Sequence, residues 1–267
     1  MKNITVVVHG AMGKMGRTVI SAVCQDPETS LVGAVDINIT GDYLQLPGSL
    51  GRVPLSEDLN NIIDSQKPVV MVDFSIARAS MPAMRIAAAK KVNMVIGTTG
   101  FTPADYDEMK TFAEKNDIGI ICASNFALGA VVMIHLARIA AKYFDYSEII
   151  ELHHNMKMDA PSGTALTTAK TMVEAKGKPF SRPPVEKGEP YKSRGEQTGG
   201  ISIHSVRLPG LMAHQEVLFG TAGQTLSIRH DTIDRDCYMP GILLAIKAVV
   251  ERRGLTIGLA PVLNLEG

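Results

Sequence analysis

Ile4-Thr-Val-Val-Val8, followed almost at once by Gly10-Ala-Met-Gly-Lys-Met-Gly-Arg17, is the stretch from which the fold can be read. Its β-branched run suits a strand buried on both faces of a parallel sheet. The glycines then make a tight turn, and Met15, Val19, Ile20 and Val23 recur behind it at helical spacing. Leu31-Val-Gly-Ala-Val35 predicts the next strand, with Asp36 at its end. Strand, glycine turn, helix, strand and acid, in that order, are the parts of a dinucleotide-binding unit. Glycines let the backbone approach a pyrophosphate, the helix start stabilises its charge, and the acid accepts from ribose hydroxyls. The spacing here is G-x-x-G-x-x-G, with Met12 where the commoner pattern has glycine. A tight turn that bound nothing would give no reason for an acid at the end of the second strand.

Working outward, the alternation continues. Val69-Val-Met-Val72 leads to Asp73-Phe-Ser75 and an alanine-rich helix from Ala77 to Lys91, and Val92–Ile96 runs into Gly97-Thr-Thr-Gly100. Thr102-Pro103 opens a further helix, with threonine as N-cap, proline at its first position and Asp105 in its first turn. Ile118–Ala123 predicts another strand, ending at Ser124-Asn-Phe126. Strands alternating with helices imply an α/β, Rossmann-like, doubly wound parallel sheet. Ligands of such sheets sit beyond the carboxyl ends of the strands, which puts the turns 97–100 and 123–126 on the cofactor side.

After Gly129 the rhythm changes. A helix is expected from about Ala130 to Tyr143, a strand over Ser147–His153, and a helix from Thr164 to Gly177 with Leu166, Ala169, Met172 and Val173 turned inward. Residues 177–200 read as a long exposed loop. Ile201–Val206, Glu216–Phe219 and Thr225–Ile228 then arrive as strands without helices between them, and Asp236–Arg253 reads as a last amphipathic helix. This half is α+β with an open mixed sheet, one face of which needs cover, for which pairing between subunits is one route.

Twenty-seven basic residues balance 27 acidic ones, so the chain has no electrostatic footprint for nucleic acid. Cys24, Cys122 and Cys237 are odd in number and far apart, which argues for a reduced compartment rather than a disulfide framework. No apolar run reaches membrane-spanning length. A cytoplasmic protein with no membrane partner is the expectation.

The densest chemistry lies in Glu151-Leu-His-His-Asn-Met-Lys-Met-Asp-Ala-Pro-Ser-Gly-Thr164. Two adjacent imidazoles, an ammonium and a carboxylate precede Pro-Ser-Gly-Thr, a helix-start signal. Proton donors beside a helix N-terminus suit a small anionic substrate that is protonated as it reacts. Adjacent histidines at a strand end are, without context, more often surface residues than catalysts. A zinc site would have to recruit Glu151 or Asp159 around Lys157, a poor neighbour for a cation, so no metal is expected. Asp159 reads as an orienting or capping residue and is given no chemistry. His9, His135, His204, His214 and His230 are isolated along the chain, and neither His204 nor Arg207 is assigned a role.

Taken together, residues 10–17, Asp73-Phe-Ser75, Val95–Gly100, Asn125-Phe126, Glu151–Ala165 and Ile203-His-Ser-Val-Arg207 resemble the 4-hydroxy-tetrahydrodipicolinate reductase (dihydrodipicolinate reductase) family. The string His-His-x-x-Lys-x-Asp-Ala-Pro-Ser-Gly-Thr carries most of that likeness. The resemblance implies a homotetramer of two-domain subunits. Residues 1–126 and 236–267 would form the dinucleotide-binding domain, and 127–235 the substrate-binding and tetramerisation domain. It implies hydride transfer from NADH or NADPH to carbon 4 of a cyclic imine dicarboxylate. By the same resemblance His153 is the acid–base histidine and Lys157 the proton donor, while His154, Gly163 and Thr164 contact substrate. Gly10, Ala11, Met12, Gly13, Lys14, Met15, Asp36, Gly97, Thr98, Thr99, Ala123, Ser124, Asn125 and Phe126 are the implied cofactor contacts.

An acid at the end of the second strand favours NADH, because a carboxylate repels a 2′-phosphate. The family often carries arginine directly after the acid; here Ile37-Asn38 follows, with Lys14 as a partial substitute. NADH is therefore expected to serve at least as well as NADPH. Two rival readings share the first half: a reductase of another small amino acid, and a catalytically silent nicotinamide-binding regulator. Neither would need His153, Lys157 and Gly163-Thr164 in one stretch.

Overall fold

The computed structural model describes residues 3–48, 50–184 and 193–265. By its contacts the chain divides into two compact units, Met1–Leu128 with Arg235–Gly267, and Gly129–Asp234. Among the described residues no helix is long and apolar enough to cross a membrane.

The first unit begins with β1 (Ile4–His9), α1 (Lys14–Gln25) and β2 (Thr29–Val35). Next come β3 (Tyr43–Gln45), β4 (Arg52–Ser56), α2 (Leu59–Gln66), β5 (Val70–Asp73), α3 (Ala77–Ala89) and β6 (Asn93–Ile96). α4 (Pro103–Asn116) and β7 (Gly119–Cys122) complete its N-terminal run. β5 and β7 are buried along their whole length, as strands covered on both faces must be. Thr102 caps α4 reciprocally with Asp105, as its sequence predicts.

The chain steps from β1 to β2 on one side, then returns to place β5 on the other side of β1. That reversal is the switch point at which a doubly wound sheet opens a crevice beyond its strand ends. A layer of Met71, Met84, Met94, Ile96, Met109 and Ile120 packs one face of the sheet.

The segment 37–68, left without elements by the sequence patterns, holds β3, β4 and α2. Gly41, Pro47, Gly48 and Gly51 interrupt it too often for a periodic signal to build up. The expected helix Asp236–Arg253 is also revised. A 3-10 turn over Arg235–Tyr238 precedes α7, which by chain order follows two helices of the second unit and covers Met239–Val249, with Pro240 in its first turn. The chain then pairs Gly254–Ile257 parallel to β7, as an edge strand absent from the sequence reading.

The second unit contains α5 (Leu128–Ala140, the part from Gly129), β8 (Tyr146–His153), α6 (Gly163–Lys176), β9 (Glu196–Thr198) and β10 (Ile201–Arg207). β11 (Ala213–Thr221) and β12 (Gln224–Thr232) extend well beyond the runs expected for them. The sheet order is β12-β11-β8-β10-β9, with β8 and β10 parallel and the other neighbours antiparallel. Met133 and Ala137 of α5 and Ala165, Ala169 and Met172 of α6 bury Ile149, Ile203, Val217 and Phe219 against one face. Leu166 and Val173, expected inside, are only partly buried at the edge of this cluster. β12 is largely exposed, as an open sheet edge would be. Within the loop expected over 177–200 the chain forms β9, while 185–192 lie outside the described residues.

Candidate active site

Alternation along β8 turns residues i and i+2 to the same face, so Glu151 and His153 point together at the end of the strand. Glu151 is fully buried. Its Oε2 lies 2.5 Å from His153 Nδ1 and accepts from Arg207 Nη1 at 2.8 Å. Its Oε1 accepts from Arg207 Nη2 at 2.8 Å and from the Ser162 backbone N–H at 3.2 Å. Burial alone would push this carboxyl up. Hydrogen bonds from His153, Arg207 and Ser205, with the charge of His153, outweigh burial and bring it down to about 2. Arg207 Nη2 also donates to the Asp159 carbonyl at 2.7 Å, which ties the loop after His154 to the strand end.

That loop carries Lys157, whose Nζ donates to both oxygens of Asp159, at 2.7 and 2.8 Å. The hydrogen bonds from Lys157 hold the Asp159 carboxyl below its ordinary value. His154 is exposed, and its backbone N–H donates to the Met212 carbonyl at 3.4 Å. Ser162 caps α6 by accepting from the Ala165 N–H at 3.2 Å. Among the described residues the Gly163 and Thr164 N–H groups donate to nothing. A Cβ at Gly163 would meet nothing within 4 Å, so the protein itself does not crowd the first turn of the helix. Open N–H groups at a helix start are a ready site for a carboxylate.

The expected cofactor residues occupy the strand ends of the first unit. Gly10 has a φ of +78°, and the Gly10 and Ala11 N–H groups donate to the Val35 carbonyl, at 2.9 and 3.1 Å. Gly13 is the N-cap of α1 and offers no side chain to its first turn. Asp36 Oδ2 accepts from the Met12 N–H at 2.8 Å and Oδ1 from the Asn38 N–H at 2.9 Å. The acid is thus held beside the glycine turn by two backbone donors. Lys14 is exposed at the start of α1 and Met15 is partly buried.

Thr98 turns away from the surface. Its hydroxyl donates to Asp73 Oδ2 at 2.7 Å and accepts from the Ser75 N–H at 2.8 Å, while Thr99 is exposed. Asp73 also receives Ser75 Oγ at 2.7 Å and Ser80 Oγ at 2.5 Å, and lies 2.6 Å from His9 Nδ1. These donors overcome the effect of burial and leave its carboxyl below the ordinary range. Asn125 Oδ1 accepts from the Ala127 N–H, Phe126 packs on Phe74 at 5.9 Å between ring centroids, Ala123 is buried and Ser124 exposed. Gly97 donates to the Asp73 carbonyl at 2.9 Å.

Asp73, His9, Glu151 and Arg207 were given no role by sequence reasoning. A signal existed for Glu151, two places before His153 on one strand face. Nothing local could place Arg207, which the parallel register of β10 and β8 sets opposite His153.

Family models described as the N-terminus and C-terminus of dihydrodipicolinate reductase match residues 4–126 and 129–263. A 4-hydroxy-tetrahydrodipicolinate reductase of Dehalococcoides mccartyi is 55% identical over 99% of this chain and 100% of its own length. One from Thermosynechococcus vestitus is 47% identical over 97% of each chain. A dipicolinate-bound dihydrodipicolinate reductase from Paenisporosarcina sp. TG-14 superposes with a TM-score of 0.87 at 40% identity, covering 97% of this chain and 99% of its own.

Proposed function

The chain belongs to the dihydrodipicolinate reductase family, and from that premise we propose that it reduces 4-hydroxy-tetrahydrodipicolinate to tetrahydrodipicolinate with loss of water. The cofactor is NADH or NADPH, and the step belongs to diaminopimelate and lysine biosynthesis. One observation carries the assignment of roles. His153, Lys157 and the open first turn of α6 are gathered at one end of β8 by the contacts of Glu151 and Arg207.

The dicarboxylate substrate brings two negative charges. The Gly163 and Thr164 N–H groups hold one carboxylate, and His154 and Lys157 offset the other. A bound reduced nicotinamide supplies the hydride, delivered to carbon 4 of the dehydrated ring. The ring is left with an electron pair along an enamine. Lys157 Nζ, or His153 in its protonated form, gives the proton that collapses it. In this reading Lys157 exchanges its bidentate contact with Asp159 for the substrate.

Gly10 to Met15, Asp36 and the turns 97–99 and 123–126 hold the cofactor, Thr98 through its backbone, since its hydroxyl is taken up by Asp73 and Ser75. The fit is one of donors and space: an α1 start that no side chain caps, and an acid aimed by two backbone N–H groups. Asp36 with an exposed Ile37 beside it favours NADH used at least as well as NADPH. A kcat/KM tenfold or more higher with NADPH would overturn that preference. We also take the enzyme to be a cytoplasmic homotetramer, a reading supported by the open sheet around β12. Light scattering that gave a monomer mass would oppose it.

Deuterium transfer tests the reaction itself. With NADH labelled at the transferring position, the reduced product should carry one deuterium at carbon 4. Unlabelled product formed while NADH is consumed would exclude direct hydride transfer.

A further inference from the structure

Every partner of the buried Glu151 carboxylate is a donor. Four contacts are set by geometry: His153 Nδ1 and Arg207 Nη1 at Oε2, Arg207 Nη2 and the Ser162 N–H at Oε1. Ser205 stands opposite Glu151 in the register of β10 with β8, and its hydroxyl helps hold the carboxyl down. The ionised carboxylate can only accept, so the 2.5 Å contact with His153 requires the proton to sit on Nδ1. Nε2 is then the ring atom left for chemistry. We propose that Glu151 is a positioning residue of the reductase, fixing His153 as the Nδ1–H tautomer and bracing the imidazolium when Nε2 takes a proton.

This rests on the reading of His153 as an acid–base group and adds how that group is prepared. The arrangement matches the logic by which a buried carboxylate sets a histidine in hydrolytic triads. Arg207 completes it. Its guanidinium stays charged, keeps the carboxylate ionised in a fully buried position, and through the Asp159 carbonyl links that carboxylate to the loop bearing Lys157. The two groups named as proton donors are therefore aligned by one ion pair. Each lies outside the pair itself: His153 receives its orientation from Oε2, and the Lys157 loop is braced by Nη2.

The donor count predicts what a neutral replacement does. In Glu151→Gln one oxygen becomes an NH2 group that must find an acceptor. At the Oε1 position it would face two donors that cannot reverse, the Ser162 amide and Arg207 Nη2. At the Oε2 position it faces only one such donor, Arg207 Nη1, together with His153 Nδ1. Among these four, only the imidazole can turn from donor to acceptor, by moving its proton to Nε2. The amide settles opposite His153 and the ring takes the wrong tautomer, and adding Ser205→Ala to Glu151→Gln removes the nearby hydroxyl that could accept in its place.

Nitrogen-15 NMR of histidine-labelled, full-length protein, with the His153 signals identified by their loss in His153→Asn, reads this directly. In the unsubstituted protein the neutral ring should carry its proton on Nδ1, a measurement that does not depend on Glu151→Gln folding. In Glu151→Gln it should move to Nε2, with kcat lowered about a hundredfold or more and NADH affinity unchanged. Arg207→Lys, which keeps the positive charge, should retain the Nδ1–H form and lose less activity. An Nε2–H ring in the unsubstituted protein would overturn the proposal. So would a Glu151→Gln protein that keeps Nδ1–H, or one that changes tautomer with kcat intact. A His153→Ala enzyme with full kcat would instead remove the acid–base reading, leaving the tautomer measurement as it stood.

Discussion

Glu151 and Asp73 are both fully buried carboxylates, and each is stabilised as an anion by a convergence of donors rather than by solvent. Removing one such partner leaves the others unpaired in a region water does not reach, which costs more than the lost bond alone. For Glu151 the consequence depends on pH with a definite sign. Its folded-state value of about 2 lies below the ordinary 4.5. The stability it contributes is therefore complete above about pH 4.5 and lost as pH falls towards 2. Urea unfolding across that window should show the gap between the unsubstituted protein and Glu151→Gln narrowing as pH falls. A constant gap would mean that the carboxylate charge contributes nothing to the fold.

At the scale of elements, the turn between β1 and α1 was legible and its constraints are steric. The helix start must lie against the turn that precedes it. A Cβ on Gly16 would come 2.1 Å from the Gly10 carbonyl oxygen, and the clash is with backbone, which cannot swing aside. Gly16→Ala should destabilise the first unit by roughly 1–3 kcal/mol, the ordinary cost of overpacking. It should also weaken NADH binding at least tenfold in a fluorescence titration. Unchanged NADH affinity would show that the turn does not shape the cofactor site. β3 and the edge strand Gly254–Ile257 mark the opposite case. Short strands at a sheet margin carry too few residues for alternation to register, so their pairing is decided by neighbours distant in sequence.

For the whole molecule, the sequence patterns were sufficient for both fold classes because each half keeps one rhythm. Strand–helix alternation runs to residue 126, and consecutive strands follow from 201. The polar site was only half legible. His153, Lys157 and the Gly163-Thr164 turn stand in one stretch, where spacing alone makes them candidates. Of the groups that orient them, Glu151 lies in the same stretch, but Arg207 stands 56 residues from it and reaches it only through the pairing of β10 with β8. Likewise Thr98, expected to face a cofactor, gives its hydroxyl to Asp73, 25 residues away. Local patterns reveal chemistry-bearing side chains, and tertiary pairing decides which of them are presented and which serve as braces.

The central claim, that this chain is a reductase with His153 and Lys157 at its acid end, has one direct test. NADH oxidation is followed by its absorbance, with substrate generated in situ from aspartate semialdehyde and pyruvate by the preceding enzyme of the route. The unsubstituted protein, His153→Ala and Lys157→Ala are compared side by side, with NADH affinity measured separately. Rapid oxidation by the unsubstituted protein is expected, with kcat lower by about two orders of magnitude or more in each variant and NADH binding retained. No oxidation above background by the unsubstituted protein would contradict the account, and so would variants that keep full kcat.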